Sequence, residues 1–270
     1  MNVPKISSKT SLFLLLLVIS TLTIIPYLGL TNFHTKGEPR EAIVAVSMLQ
    51  NDNWILPINN GGDIAYKPPF FHWCIAAFSL PVGEVTEFTS RLPSALAAIL
   101  MAIVCFLFFA KRSRNDIAFL ASLLLLSGFE VHRAAMASRV DMVLTCFIVL
   151  AMLQLYRWWE LGLKGIPIWA ILFMSIATLT KGPVGIVLPC AVIGIFLLFQ
   201  KVYKIIPIAL LSCILPLLWY YAAYQQGGEA FLRLVMEENV DRFLGKMSYG
   251  SHEQPIIYYV YITLAGWLPW

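Results

Sequence analysis

Long apolar runs separated by short polar stretches dominate the chain. Runs near 10–30, 92–110, 117–130, 142–157, 167–180, 183–200 and 205–224 approach the roughly 20 residues that cross a bilayer, and another begins near 256 and is still in progress at Trp270. The pattern predicts an all-α, polytopic transmembrane helical bundle that forms the amino-terminal part of something longer, with residues 1–270 as one membrane domain. The run FFHWCIAAFSLPVG, residues 70–83, has 14 residues. That length suits an interfacial or re-entrant segment, so it is placed on the membrane surface. The first run follows Lys5 and Lys9, but its apolar core is longer than that of a signal peptide and no A-x-A-like site follows, so it reads as a retained anchor.

Two polar segments carry helical periodicity of their own. In GEPREAIVAVSMLQ, Pro39 suits the first helical position and Glu38 the cap, and Ile43, Val46 and Leu49 form an apolar stripe that can lie on the bilayer. The helix is expected to end at Asn51-Asp52-Asn53. A carboxylate at a helix amino terminus stays ionised, which would make Glu38 a persistent anion near the membrane edge. In GGEAFLRLVMEENVDRFLGK, Phe231, Leu234, Val235 and Phe243 fall at helical spacings and Glu238 stands four residues before Arg242. This second interfacial helix either covers a site or is an ordinary surface helix.

Charge sets the orientation. Hydrophobic residues make up 59% of the chain and charged residues only 13%, with a mean hydropathy of +0.77, whereas a soluble domain carries about 25% charged residues. The net charge of +4 is modest. Its basic residues sit at the ends of apolar runs and form no continuous stripe, which argues against a nucleic-acid partner. Lys5, Lys9, Lys111, Arg112, Arg114, Arg157, Lys164, Lys201 and Lys204 all fall on one side, which the positive-inside rule makes cytoplasmic. The loops 31–90, 131–141, 181–182 and 225–255 are then extracytoplasmic, the first and fourth of them holding the two interfacial helices. Cys74, Cys105, Cys146, Cys190 and Cys213 lie in apolar stretches without metal-type spacing and read as small hydrophobes.

Glu38, Arg40, Glu41, Asp63, Lys67, Arg133, Arg139, Asp141, Lys181, Arg242, His252 and Glu253 gather on the extracytoplasmic face. Loops are wet and charged in any case, but Arg139, Asp141 and Lys181 abut spans, where an ion is expensive. Pro68 and Pro69 hold Lys67 in a stiff frame.

GEPREAIVAVSMLQNDNWILPINNGGDIAYKPPFFHW, then SRLPSALAAIL, ASRVDMVLTCFIVLAM, LTKGPVGIVLP and SHEQPIIYYVYITLAGWLPW, resemble in order the polyprenyl-phosphate-dependent GT-C glycosyltransferases of the protein O-mannosyltransferase and bacterial aminoarabinose transferase group. The resemblance covers nearly the whole chain. It implies a GT-C fold and an integral membrane enzyme, in the bacterial cytoplasmic membrane, that transfers a sugar from a polyprenyl-phosphate carrier to an extracytoplasmic glycolipid, glycan or protein. By motif, Glu38 corresponds to the acidic first-loop residue acting as base or acceptor-orienting group, and Asp141 to the acidic residue of R-x-D. Lys67 corresponds to the basic residue near the carrier phosphate, Lys181 to the T-K-G-P lysine, and His252 to a histidine of the second large loop.

A phosphate leaving group requires fixed cations, for which Lys67, Arg139 and Arg242 are candidates, with Arg40 beside them. Two positions depart from the aminoarabinose branch: Gly37-Glu38 stands where many relatives have Asp-Glu, and Tyr66 where that branch has an acidic residue. The second speaks against a divalent metal held between position 66 and His252, and no cofactor is assigned. The rival class is a transporter or flippase for lipid-linked sugars. Such proteins often carry paired internal repeats, which this chain lacks.

Overall fold

The structure, a computed structural model, describes residues 8–65, 67–241, 244 and 255–270. Arg242 and His252, both expected at the site, lie outside them. Among the described residues the secondary structure is helical, without a strand; Ile58 and Ile64 form one isolated bridge in the loop that carries Asp63.

The apolar runs become helices close to the expected bounds. Helix α1 (Lys9–Ile24) starts where the Ser8 hydroxyl accepts the Ser11 N–H, and it leaves Leu14, Leu15, Val18 and Leu22 exposed as a lipid-facing stripe. α2 (Gly37–Asn51) and α3 (Phe70–Ser79) follow in the first long loop. At 10 residues α3 is only about 15 Å long, half of a hydrocarbon core, which agrees with its placement outside the spans.

A reciprocal Thr86–Thr89 capping box opens α4 (Glu87–Phe109), five residues before the expected start. α5 (Asn115–Ser127) meets α6 (Phe129–Ala135) at a 69° bend. Beyond them come α7 (Val140–Glu160), α8 (Ile168–Lys181) and α9 (Val184–Pro189), which passes through a π turn into α10 (Ile195–Phe199). The described helices close with α11 (Ile205–Ser212), α12 (Ile214–Met236) and α13 (Ile256–Gly266). By length and composition the stretches 9–27, 87–109, 140–160 and 205–241 can cross a membrane, and the bent α5–α6 pair is a fifth candidate. α8, as long as the run expected there, and the 184–199 stretch are apolar helices shorter than the roughly 20 residues that cross a bilayer.

α7 packs mainly on α8 and α4. The α4 face is built of small residues, with Ala95, Ala98 and Ala102 fully buried, so the backbones approach closely, as suits helices that gain little from hydrophobic burial in lipid. At one end of α4 and α7, Arg112 donates to Glu160. The other end carries Arg91, Arg139 and Asp141. The basic loops and the charge cluster therefore occupy opposite ends of the bundle.

Two local expectations are corrected. Glu38 is not the cap of α2: the helix starts at Gly37 after Lys36, which makes no side-chain cap. Residues 225–236, expected as part of an external loop holding a separate interfacial helix, are helical but continue α12. Gly228 takes φ 55° and ψ −141°, a conformation open to glycine, and the helix bends there and resumes. Phe231 then packs against Trp219 and Leu56.

Candidate functional site

The first turn of α2 holds a buried ionic knot. Glu38 is 1% exposed and its Oε1 accepts the Arg91 Nε–H at 3.0 Å and the Ser138 N–H at 3.0 Å, while Oε2 accepts the His34 N–H at 2.8 Å. Arg91, equally buried, donates to the carbonyls of Leu28, Thr31 and Asn32. Burial pushes the Glu38 carboxyl up, but Arg91 and the two N–H groups outweigh it and hold the carboxyl below its ordinary value. Glu38 is buried within the protein. It ties the 28–34 loop, α4 and the entry to α7 together, and it also lines a cavity of about 670 Å³ with Tyr27, Phe129 and Met136.

One helical turn on, Glu41 turns the opposite way. Its Oε1 accepts from Lys67 Nζ and its Oε2 from His72 Nε2 at 2.8 Å. Burial would raise the Glu41 carboxyl, but His72 and Lys67 bring it down to about 2. Burial lowers the Lys67 ammonium, and Glu41 recovers only part of that. Pro68 and Pro69 lead directly into α3, so the same segment fixes both Lys67 and His72.

The third cluster joins two helix ends. Arg139 is the extended residue before α7, and Asp141 falls in the first turn, where the helix dipole favours an anion. Lys181 is the last residue of α8, where the dipole favours a cation. Gly182 ends that helix at φ 84°, and a Cβ there would stand 3.0 Å from Asn239 Oδ1, so both backbone and space call for glycine. Asp141 accepts from Lys181 Nζ at 2.6 Å and lies 3.5 Å from Arg139 Nε, with all three side chains about two-fifths exposed.

Lys67, Lys181, Tyr220, Glu238 and Asn239 line a cavity of about 390 Å³. A second, apolar cavity of about 350 Å³ shares Tyr220 and Asn239 and adds Leu217, Phe231 and Val235. A cationic end thus adjoins an apolar groove.

Of the expected residues, the structure brings Arg40, Lys67, Arg139, Asp141 and Lys181 into one region with Glu41. It sets Glu38 apart in the buried knot, and Asp63 is exposed in its loop. Sequence reasoning missed Arg91 and His72. A lone cation at the head of an apolar run was the available signal for Arg91; His72 gave none. Among the described residues no group of three or more His, Cys, Asp and Glu is placed to hold a metal.

The family described as dolichyl-phosphate-mannose-protein mannosyltransferase matches residues 66–222, more than half of the chain. A relative from Shewanella sediminis, undecaprenyl phosphate-alpha-4-amino-4-deoxy-L-arabinose arabinosyl transferase, is 28% identical over 90% of this chain and 46% of its own. One of the same name from Aeromonas hydrophila is 28% identical over 87% of this chain and 44% of its own. The crystal structure of ArnT from Cupriavidus metallidurans bound to undecaprenyl phosphate superposes with a TM-score of 0.81 at 20% identity, over 97% of this chain and 50% of that one. This likeness bears out the polytopic, all-helical GT-C fold. The chain spans about half the length of these relatives.

Proposed function

This chain belongs to the dolichyl-phosphate-mannose-protein mannosyltransferase family, and from that membership and the site we propose that the whole protein is a membrane glycosyltransferase. It takes a sugar from a polyprenyl-phosphate carrier and transfers it to an acceptor on the extracytoplasmic face of the bacterial cytoplasmic membrane. The names of the relatives favour undecaprenyl phosphate as the carrier. The observation that carries the reading is the adjacency of the Lys67–Lys181 cavity to the apolar groove. It offers cations to a phosphate and a dry wall to the first isoprenes behind it. The basic loops at the other end of the bundle support an extracytoplasmic site.

In the reaction an acceptor oxygen bonds to the anomeric carbon as the bond from that carbon to the phosphate oxygen breaks. The electron pair leaves with the polyprenyl phosphate, whose growing charge Lys67 and Lys181 meet. The acceptor proton goes to Asp141, the carboxylate of the region that is both reachable and adjacent to the cations. Glu38, with donors on both oxygens, serves as an anchor. Arg139 and Arg40 contribute positive charge at the edge. The cavity of about 670 Å³, mainly apolar, takes the lipid part of a glycolipid acceptor, with His34 and His132 near its polar head.

The test uses full-length protein in liposomes with a radiolabelled sugar on undecaprenyl phosphate. Release of free undecaprenyl phosphate with label appearing on an added glycolipid is expected. Movement of intact carrier across the bilayer without cleavage would replace this reading with a flippase.

A further inference from the structure

We propose that Glu41 is the positioning residue of Lys67: its carboxylate, held by His72 on one oxygen, grips the Lys67 ammonium with the other and fixes it at the wall of the donor cavity. The inference rests on the donor reading above only for what Lys67 does there, not for what holds it.

Glu41 is 2% exposed and His72 1%. A carboxylate this deep persists as an anion only with its oxygens engaged, and here a ring N–H engages Oε2 and an ammonium Oε1. Arg40 approaches Oε1 only to 3.9 Å, from a side chain 40% exposed, so it screens more than it bonds. His72 is itself held by its helix, since α3 buries Phe71, Ile75 and Ala76 beside it. Rigidity passes from the packed face of α3 through the His72 ring and Glu41 to the end of a four-carbon side chain that would otherwise swing. Sequence spacing hides this arrangement, because Glu41 stands 26 residues from Lys67 and 31 from His72.

The charged and titratable groups around the Lys67 ammonium are Arg40 and Glu41 from α2, His72 from α3, Asp141 from α7, Lys181 from α8 and Glu238 beyond α12. Glu41 is in direct hydrogen-bond contact with it. Its loss therefore removes the hydrogen-bonded carboxylate from a largely buried ammonium that also has Arg40 and Lys181 near it, with Asp141 and Glu238 as the remaining anions of the surroundings. Lys67 should then deprotonate at lower pH and wander.

The experiment reads Lys67 directly. Full-length protein in nanodiscs is acylated with acetic anhydride from pH 6 to 11, and modification at Lys67 is followed by mass spectrometry. Glu41→Gln should move the Lys67 titration midpoint down and raise its labelling at neutral pH roughly tenfold or more, the size of effect that an adjacent opposite charge has. Glu41→Asp, which keeps the charge, should hold the midpoint near that of the unsubstituted protein. A merely structural role for Glu41 would lower the melting temperature and leave the midpoint in place, which overturns the proposal. If Glu41→Gln alone does not fold, the pair Glu41→Gln with Lys67→Met should fold, because both buried charges are then gone; failure of the pair also overturns it. Undecaprenyl phosphate binding, measured in parallel, separates the two readings. Unchanged binding on Lys67→Met would end the donor-phosphate assignment, while the labelling result still decides whether Glu41 holds the lysine.

Discussion

Glu38→Gln is expected to damage the fold before it damages the chemistry. The substitution keeps the shape of the side chain but replaces one acceptor oxygen by an amide NH2, and each oxygen of Glu38 faces N–H donors. Turned one way, the amide nitrogen meets Arg91 Nε and the Ser138 N–H, each 3.0 Å from Oε1; turned the other way, it meets the His34 N–H, 2.8 Å from Oε2. Neither rotamer avoids a donor facing a donor. Breaking a buried ion pair from one side costs about 3–5 kcal/mol. Arg91 keeps its carbonyl partners at Leu28, Thr31 and Asn32, which places the cost near the lower end, about 3 kcal/mol. At roughly 2–4 °C per kcal/mol for 150–250 residues and about half that for a chain twice as long, the melting temperature of the full-length protein should fall by roughly 3–6 °C.

The assay is thermal loss of the monodisperse peak for full-length protein in detergent, with transfer measured on the folded fraction well below the transition. Turnover of that fraction should stay within a few-fold of the unsubstituted protein. The acid limb gives a second reading. Because the folded Glu38 carboxyl lies below the ordinary 4.5, its contribution is complete above that pH and is lost as pH falls through the folded value. Glu38→Gln should lack that part of the acid sensitivity. An unchanged melting temperature with transfer reduced about 10²-fold or more would refute the anchor and make Glu38 the base.

Asp141→Asn should lower kcat by roughly 10²–10⁴-fold with a small change in melting, since its ion pairs are about two-fifths exposed; a full-rate variant would remove it from the reaction. Lys181→Ala should weaken donor use by about 1.5–3 kcal/mol, read as a raised KM for the carrier, and an unchanged KM would end its phosphate role. Gly182→Ala forces a side chain into φ 84° beside Asn239 and should cost about 1–3 kcal/mol of stability, measured by thermal unfolding; a neutral result would show that α8 and α9 can rejoin differently. Because the folded Lys67 ammonium titrates below its ordinary 10.5, donor binding should be full below the folded value and lost as pH rises through it. Measuring undecaprenyl phosphate affinity against pH checks this, and a loss only at or above 10.5 would contradict it.

Local signals carried to the structure, and pairings over long distance did not. The bounds of α1, α4 and α7 were legible because an apolar run between charged ends has few ways to sit in lipid. T-K-G-P and R-x-D were legible as helix termini, because a basic residue, a glycine and a proline at one end, and an acid at the other, match the dipole and the backbone that each end needs. Glu38 was misplaced because proximity to a helix start suggested a cap, while its true partner, Arg91, lies 53 residues on. The helix expected from Gly227 was legible, but its continuity with α12 was not: a single positive φ bends a helix without ending it when Phe231 on the far limb finds Trp219 to pack against.

The three acidic residues differ mainly in what it would take to free them. Glu38 has three donors and almost no solvent contact, so removing any partner strands a buried charge. Glu41 is as deep, and its tie to Lys67 is the reason the lysine has a fixed place. Asp141 meets Lys181 and Arg139 where all three are about two-fifths exposed, so solvent already screens the attraction and the pair is weak. In the proposed reaction the phosphodiester anion of the donor enters beside Lys181 and competes for that cation, and the second charge that forms on the phosphate as its bond to the sugar breaks strengthens the competition. Lys181 then turns from Asp141 to the phosphate, and the carboxylate that loses its counter-ion becomes more basic as the donor arrives. The same geometry explains why the buried pairs should not exchange in this way. On the proposed reading, two of the acidic residues hold the frame, and the one at the solvent-screened helix junction is left to take a proton.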